Sequence, residues 1–189
     1  MRQSVKTFVK ICSENLPIKE PIYDFGSLQV GGQEGFADLR PYFTGKKYIG
    51  CDMRVGVGVD LILNLHDIEL PDSYAGTVLL IDTIEHVEYV RKAMSEIYRI
   101  LADDGILIMT AATLFHIHDF PYDYWRFTPE GVRSLLQDFA YSFVDYTGED
   151  LNPHCVIGVG FKKPHEITDK FLEEINRWKA DFKDKKNDY

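Results

Sequence analysis

Four acids stand at the ends of apolar runs, and their recurrence is the first chemical signal in this sequence. Asp24 ends "PIYD" and opens the glycine-rich "DFGSLQVGGQEG" at 24–35, with Gly26 and Ser27 just behind it. Asp52, with Met53 beside it, closes "KYIGCDM"; Asp67 and Ile68 follow "VDLILNL"; Asp82 follows "TVLLI". Gly26 lets the backbone approach a ligand closely, and amides nearby can bind a carboxylate. An acid at Asp52 can accept both hydroxyls of a ribose. Asp67 can take an adenine amino proton while Ile68 packs the ring. Singly, each acid also reads as a turn, cap or solvated strand-end residue. In succession they point to a nucleoside-like ligand, although Leu28 stands where G-x-G-x-x-G needs its second glycine.

A second group of reactive side chains lies in "HIHDFPYDYWRF" at 116–127. His116 and His118 titrate near neutral pH and are candidate general bases. Asp82 and His86 point towards the same pocket mouth, whereas Glu85 has the simpler explanation of an acid at a helix N-terminus. Tyr122, Tyr124 and Trp125 can form an apolar wall, and Arg126 can bind an acidic acceptor. The alternative is an aromatic cluster packing the loop onto the sheet, with Arg126 salt-bridged to a neighbour such as Asp123. His116, His118 and Asp119 also raise a metal site, since alternate residues on a strand share a face. No third ligand follows at a recognisable spacing, so group transfer ranks well above metal binding and no metal is expected.

The elements that position these residues alternate. A short amphipathic helix over 3–12 places Val5, Phe8, Val9 and Cys12 on one face. Strands follow at 21–25, 47–53 and 59–65, with a short or broken helix around Phe36, Leu39 and Phe43 because of Pro41. "TVLLIDTI" reads as a parallel strand buried on both faces. "EHVEYVRKAMSEIYRILADDG" reads as a helix stopped by Gly105. "ILIMTA" is the next buried strand. Thr128 caps a helix with Pro129 in its first turn. Two strands joined by a turn containing Asn152-Pro153 come next, then a helix over about 164–183 and a frayed charged tail. The pattern predicts a single-domain α/β chain over 1–189. Its sheet is Rossmann-like, open and mostly parallel, with an antiparallel final strand and helices on both faces. Ligands of such sheets bind outside the carboxyl ends of the strands.

The chain has 189 residues and a net charge of -9, which disfavours nucleic acid and anionic membrane surfaces. Its three widely spaced cysteines and lack of a long apolar run suit a soluble protein of the cytoplasm.

From about Ile22 to Lys162 the sequence resembles the class I S-adenosylmethionine-dependent methyltransferases, of the type 11 kind. "GTVLLIDTIEHVEYVRKAMSEIYRILADDGILIMTA" is similar to that family's fourth strand, following helix and fifth strand, with "LADDG" where "LKPGG" is usual. "YIGCDMRVGVGVD" resembles its ribose-binding strand end, and "LNLHDIELPDSYAGTVLLID" its adenine-site approach. "PYDYWRFTPEGVRSLL" looks like a segment of one branch. The resemblance implies a seven-stranded sheet with a reversed final strand and S-adenosylmethionine across the first three strand ends. It implies Asp24 and Gly26 by the methionine part, Asp52 at the ribose, Asp67 with Ile68 at the adenine and Asp82 near the sulfonium. The expected function is methyl transfer to a small-molecule or sugar-like acceptor. A non-catalytic, cofactor-binding relative is the alternative, motivated by the altered glycine loop. A nicotinamide-dependent oxidoreductase ranks third, because G-x-G-x-x-G and a second domain are missing. Assembly into homo-oligomers stays open.

Overall fold

A computed structural model describes residues 1–32, 34–119 and 121–185, so the expected frayed end falls partly outside the described residues. Seven strands form one sheet: β1 (Ile22–Phe25), β2 (Tyr48–Asp52), β3 (Leu61–Ile62), β4 (Ala75–Leu80), β5 (Leu101–Ala112), β6 (Tyr141–Glu149) and β7 (Asn152–Phe161). Their order is β3-β2-β1-β4-β5-β7-β6. All neighbours from β3 to β5 are parallel, while β7 runs antiparallel to both β5 and β6. This is the expected open sheet with a reversed last strand. Its topological switch point lies between β1 and β4, where the chain leaves one half of the sheet for the other.

Four helices cover the two faces: α1 (Gln3–Asn15), α2 (Val90–Ile100), α3 (Pro129–Leu135) and α4 (Asp169–Phe182). On one face Met94, Ile97 and Ile100 of α2 and Val132 and Leu135 of α3 pack with Tyr23, Phe25, Val78 and Leu80. On the other, Val5, Phe8 and Val9 of α1 and Phe171, Ile175 and Trp178 of α4 pack with Ile22, Leu79 and Ile108. The Trp178 indole donates to the Ser4 carbonyl at 2.8 Å, tying the last helix to the first. Strand alternation separates the two sets, because successive side chains point to opposite faces.

Several boundaries differ from the sequence expectation. The third strand is two residues long because Asn64 turns the chain: its carbonyl accepts the Asp67 amide and its side chain accepts the His66 amide. The helix expected from Glu85 begins only at Val90. Residues Ile84–His86 form a 3-10 turn, and the Glu85 carbonyl accepts the Tyr124 and Trp125 amides rather than a helical one. That helix ends at Ile100, five positions before the expected glycine stop, because Leu101 already pairs with Ala75 in the sheet. Around Phe36 to Phe43 only Arg40–Phe43 is helical, as a 3-10 turn with Pro41 at its start. Asn152 and Pro153 lie in β7, and the turn falls one step earlier at Asp150 and Leu151. The Thr128 cap is as expected: its hydroxyl accepts the Gly131 amide at 3.1 Å.

Candidate active site at the strand ends

The carboxyl ends of β1 and β4 meet at Gly26 and Thr83. The Thr83 hydroxyl donates to the Phe25 carbonyl at 3.1 Å, and a Cβ on Gly26 would lie 2.2 Å from that hydroxyl. Gly26 also has a φ of 87°, so both space and backbone conformation require glycine there. The amides of Gly26 and Ser27 both donate to the Cys51 carbonyl, and Leu28 lies close over Gly56. The glycine-rich loop is thus folded down onto the loop after β2, and the amides expected to receive a carboxylate are already paired. Gln33 of that loop lies outside the described residues.

Asp24 does not follow the first strand but lies inside it, buried, with the Tyr48 hydroxyl donating to it at 2.5 Å. Burial pushes its carboxyl up to about 7, against the lowering effect of Tyr48 and the Arg40 guanidinium. Arg40 in turn reaches Asp60 at 2.6 Å and the Gly58 carbonyl at 2.9 Å, so Asp24 belongs to a polar network beneath the loop. Asp52 does end its strand. Its Oδ1 accepts the Arg54 amide at 2.9 Å, while its Oδ2 makes no hydrogen bond among the described residues. The side chain is only 10% exposed. Met53 beside it is exposed.

Asp67 is exposed on the Asn64 turn. Ile68 belongs to the core, and its amide donates to Glu96 at 2.9 Å; it has been drawn beneath the surface rather than along a ring-binding wall. Asp82 has a φ of 45°, an uncommon conformation for a residue with a side chain. It is held there by Thr110, whose hydroxyl accepts its amide at 2.9 Å and donates to its carboxylate at 2.7 Å.

The aromatic loop is a pinned structure. Asp123, its side chain 1% exposed, takes both terminal nitrogens of Arg126 at 2.5 and 2.7 Å. The Arg126 guanidinium holds the Asp123 carboxyl well below the usual carboxylate range. Arg126 also donates to the carbonyls of Phe115, His116 and Trp125. With its donors committed, Arg126 clasps the loop and has none left for an acceptor. The Trp125 indole donates to the Val87 carbonyl at 2.9 Å, and Trp125, Tyr122 and Tyr124 are all exposed. Phe120 lies outside the described residues.

The histidines separate. His116 stacks on Phe115 with ring centres 4.4 Å apart, so the H-x-H pair does not form. His118 instead meets His86, Nε2 to Nε2, at 3.0 Å. Burial lowers the His118 pKa, against the raising contact of the His116 carbonyl. Glu85 beside them is fully buried, and both its oxygens lack a hydrogen-bond partner among the described residues. Burial and the neighbouring Asp82 charge push its carboxyl up to about 8. Sequence reasoning set Glu85 aside as a helix-terminal acid. The signal available was that an acid in so apolar a stretch needs a partner. A cleft of about 250 Å³ lined by Glu149, Asn152 and His154 opens at the edge of the sheet where β5 ends, and Arg2 joins the His154 carbonyl to Asp82.

A methyltransferase-domain family model matches residues 32–109. The solved structures similar to the chain include an S-adenosylmethionine-dependent methyltransferase of Thermotoga maritima, described as a possible histamine N-methyltransferase. It is 17% identical, with a TM-score of 0.59 over 84% of this chain and 92% of that one. An Archaeoglobus fulgidus methyltransferase of the same dependence gives 15%, 0.60, 82% and 94%. A putative methyltransferase of Haloferax volcanii, solved in complex with the Trm112 methyltransferase activator, gives 16%, 0.60, 85% and 90%. No curated protein matches the sequence. The sheet order and reversed β7 are those of the S-adenosylmethionine-dependent methyltransferase structures to which the chain is similar, and the methyltransferase-domain match covers residues 32–109. S-adenosylmethionine is the cofactor that the domain match and fold imply, and the uncommitted Oδ2 of Asp52 at a strand end fits a ribose hydroxyl of it.

Proposed function

We propose that this chain, acting as one domain, methylates a small-molecule or sugar-like acceptor bound beneath the 113–127 loop. The observation that carries this reading is the grouping of Gly26, Asp52 and Asp82 at three strand ends, with His86 and His118 on the adjoining loops. Asp52 would hold the ribose hydroxyls through Oδ2, Asp67 the adenine edge, and the Gly26 backbone the methionine end. The cofactor supplies a methyl group on an already activated sulfonium, so the protein's task is alignment and exclusion of water. A pinned loop suits that task, with Tyr122 and Tyr124 as the wall facing the acceptor. The charge of -9 argues against a nucleic-acid acceptor. Among the described residues no helix is long and apolar enough to cross a membrane.

A second reading, cofactor binding without catalysis, is favoured by the Gly26 and Ser27 amides being tied to Cys51. Incubation with methyl-labelled S-adenosylmethionine and a small-molecule extract separates the two. Methyl transfer predicts a labelled small product; bound cofactor with no labelled product supports the second reading.

A further inference from the structure

Glu85 and His86 follow β4, and His118 follows β5; their ligand atoms lie within 4.8 Å of one another. The hydrogen bonds around the two rings define where their protons sit. The His86 Nδ1 is 2.7 Å from the Tyr122 carbonyl, which can only accept, so that nitrogen carries a hydrogen. The His118 Nδ1 lies 3.2 Å from both the His116 carbonyl and the Asp123 carboxylate, again acceptors only. In the neutral rings both Nε2 atoms therefore present lone pairs, and these face each other at 3.0 Å. Two lone pairs at that distance repel unless something positive lies between them.

A single proton would join the two nitrogens but leave the Glu85 carboxyl bare. That carboxyl is fully buried and has neither oxygen hydrogen-bonded among the described residues. An unpaired buried carboxylate costs several kcal/mol. A divalent cation engages all three groups. Imidazole nitrogens about 2.0–2.1 Å from a metal stand about 2.9–3.4 Å apart when adjacent in its coordination shell, which brackets the separation here. A Glu85 carboxylate oxygen lies within 4.8 Å of both nitrogens, near enough to share one ion after side-chain adjustment. The surroundings are also those of metal-binding histidines, whose second nitrogen donates to a carbonyl or carboxylate that fixes the ring. Asp123 is itself fixed by Arg126.

We propose that Glu85, His86 and His118 form a binding site for one first-row divalent transition metal, with open positions for water or an oxygen of a bound ligand. Two imidazoles with one carboxylate favour such a metal over Mg²⁺ or Ca²⁺, which prefer all-oxygen shells. The site does not depend on the methyl-transfer reading, and its test needs no turnover.

Chelator-treated protein is titrated with Co²⁺, following visible absorption and metal content, and then with Zn²⁺. The expected result is one equivalent of Co²⁺, displaced by Zn²⁺. His86→Gln, His118→Gln and the near-isosteric Glu85→Gln should each weaken uptake by more than roughly tenfold, whereas His116→Gln should not. Circular dichroism checks that each variant is folded. No uptake by wild type at millimolar Co²⁺, or unchanged uptake in folded His86→Gln and His118→Gln, would overturn the proposal. S-adenosylmethionine binding, measured separately, reports on the methyltransferase reading alone.

Discussion

The two loops bordering the strand ends are built on opposite plans. The 113–127 loop is cross-braced: Asp123 grips Arg126, Arg126 gathers three carbonyls, and Trp125 reaches Val87. The 26–35 loop is held by a few backbone bonds to Cys51 and Val57 and by Leu28 over Gly56. Glycines at 31, 32 and 35 leave it without side chains to pack. Side-chain bonds dominate the first loop, whereas in the second the side chains add Ser27 to the Cys51 carbonyl and Gln29 to the Gly35 amide.

Breaking the brace should have the largest effect. Asp123→Ala strands Arg126 among carbonyls and removes the His118 contact, so a loss of about 3–5 kcal/mol is expected. It is read as a lower Tm and as new proteolytic cleavage within 113–127. A matching Gly32→Ala change in the light loop should instead shift Tm only slightly, through its φ of 79°, since a Cβ there meets nothing.

Next in size is a pH effect beneath the light loop. Burial lifts Asp24 to about 7 in the folded chain, against about 3.9 unfolded. The native state therefore binds this proton more tightly. Its stabilisation is complete below about pH 4 and lost as pH rises through about 7. Asp24→Asn should flatten that part of the Tm–pH curve by a few kcal/mol at most. A curve of unchanged shape would contradict the buried-acid assignment.

Smaller effects sharpen the contrast. Trp125→Phe keeps the ring and loses the bond to Val87, so about 1 kcal/mol is expected by denaturant unfolding. Arg54 ties the 113–127 loop to the end of β2, pairing with Asp52 and reaching Asp119 at 3.2 Å, but it is exposed. Arg54→Ala should cost under about 1 kcal/mol, and less in high salt.

How legible this was in the sequence follows the range of the forces involved. The strand–helix–strand unit around α2 was readable because a buried parallel strand and an amphipathic helix each write a periodic pattern. The Thr128-Pro129 start was readable for the same local reason. The place of Asp52 at a strand end was readable because a strand end is a local feature. Asp24 was misplaced by a boundary, and Ile68 was misread because its burial depends on α2 packing above it. The helix start at Val90 was invisible because Glu85 bonds to residues some forty positions away. Likewise the His118 Nε2 meets that of His86, 32 positions away, through loop closure that no spacing rule records. The Asp123–Arg126 clasp, three residues apart, was the one loop contact within reach of local reasoning.

Cofactor capture at the switch point is tested most directly by calorimetric titration of S-adenosylmethionine into wild type and Asp52→Ala. One equivalent bound by wild type, with affinity at least about tenfold weaker in the variant, is the predicted result. Absence of binding to wild type, or equal affinity in both proteins, would contradict it.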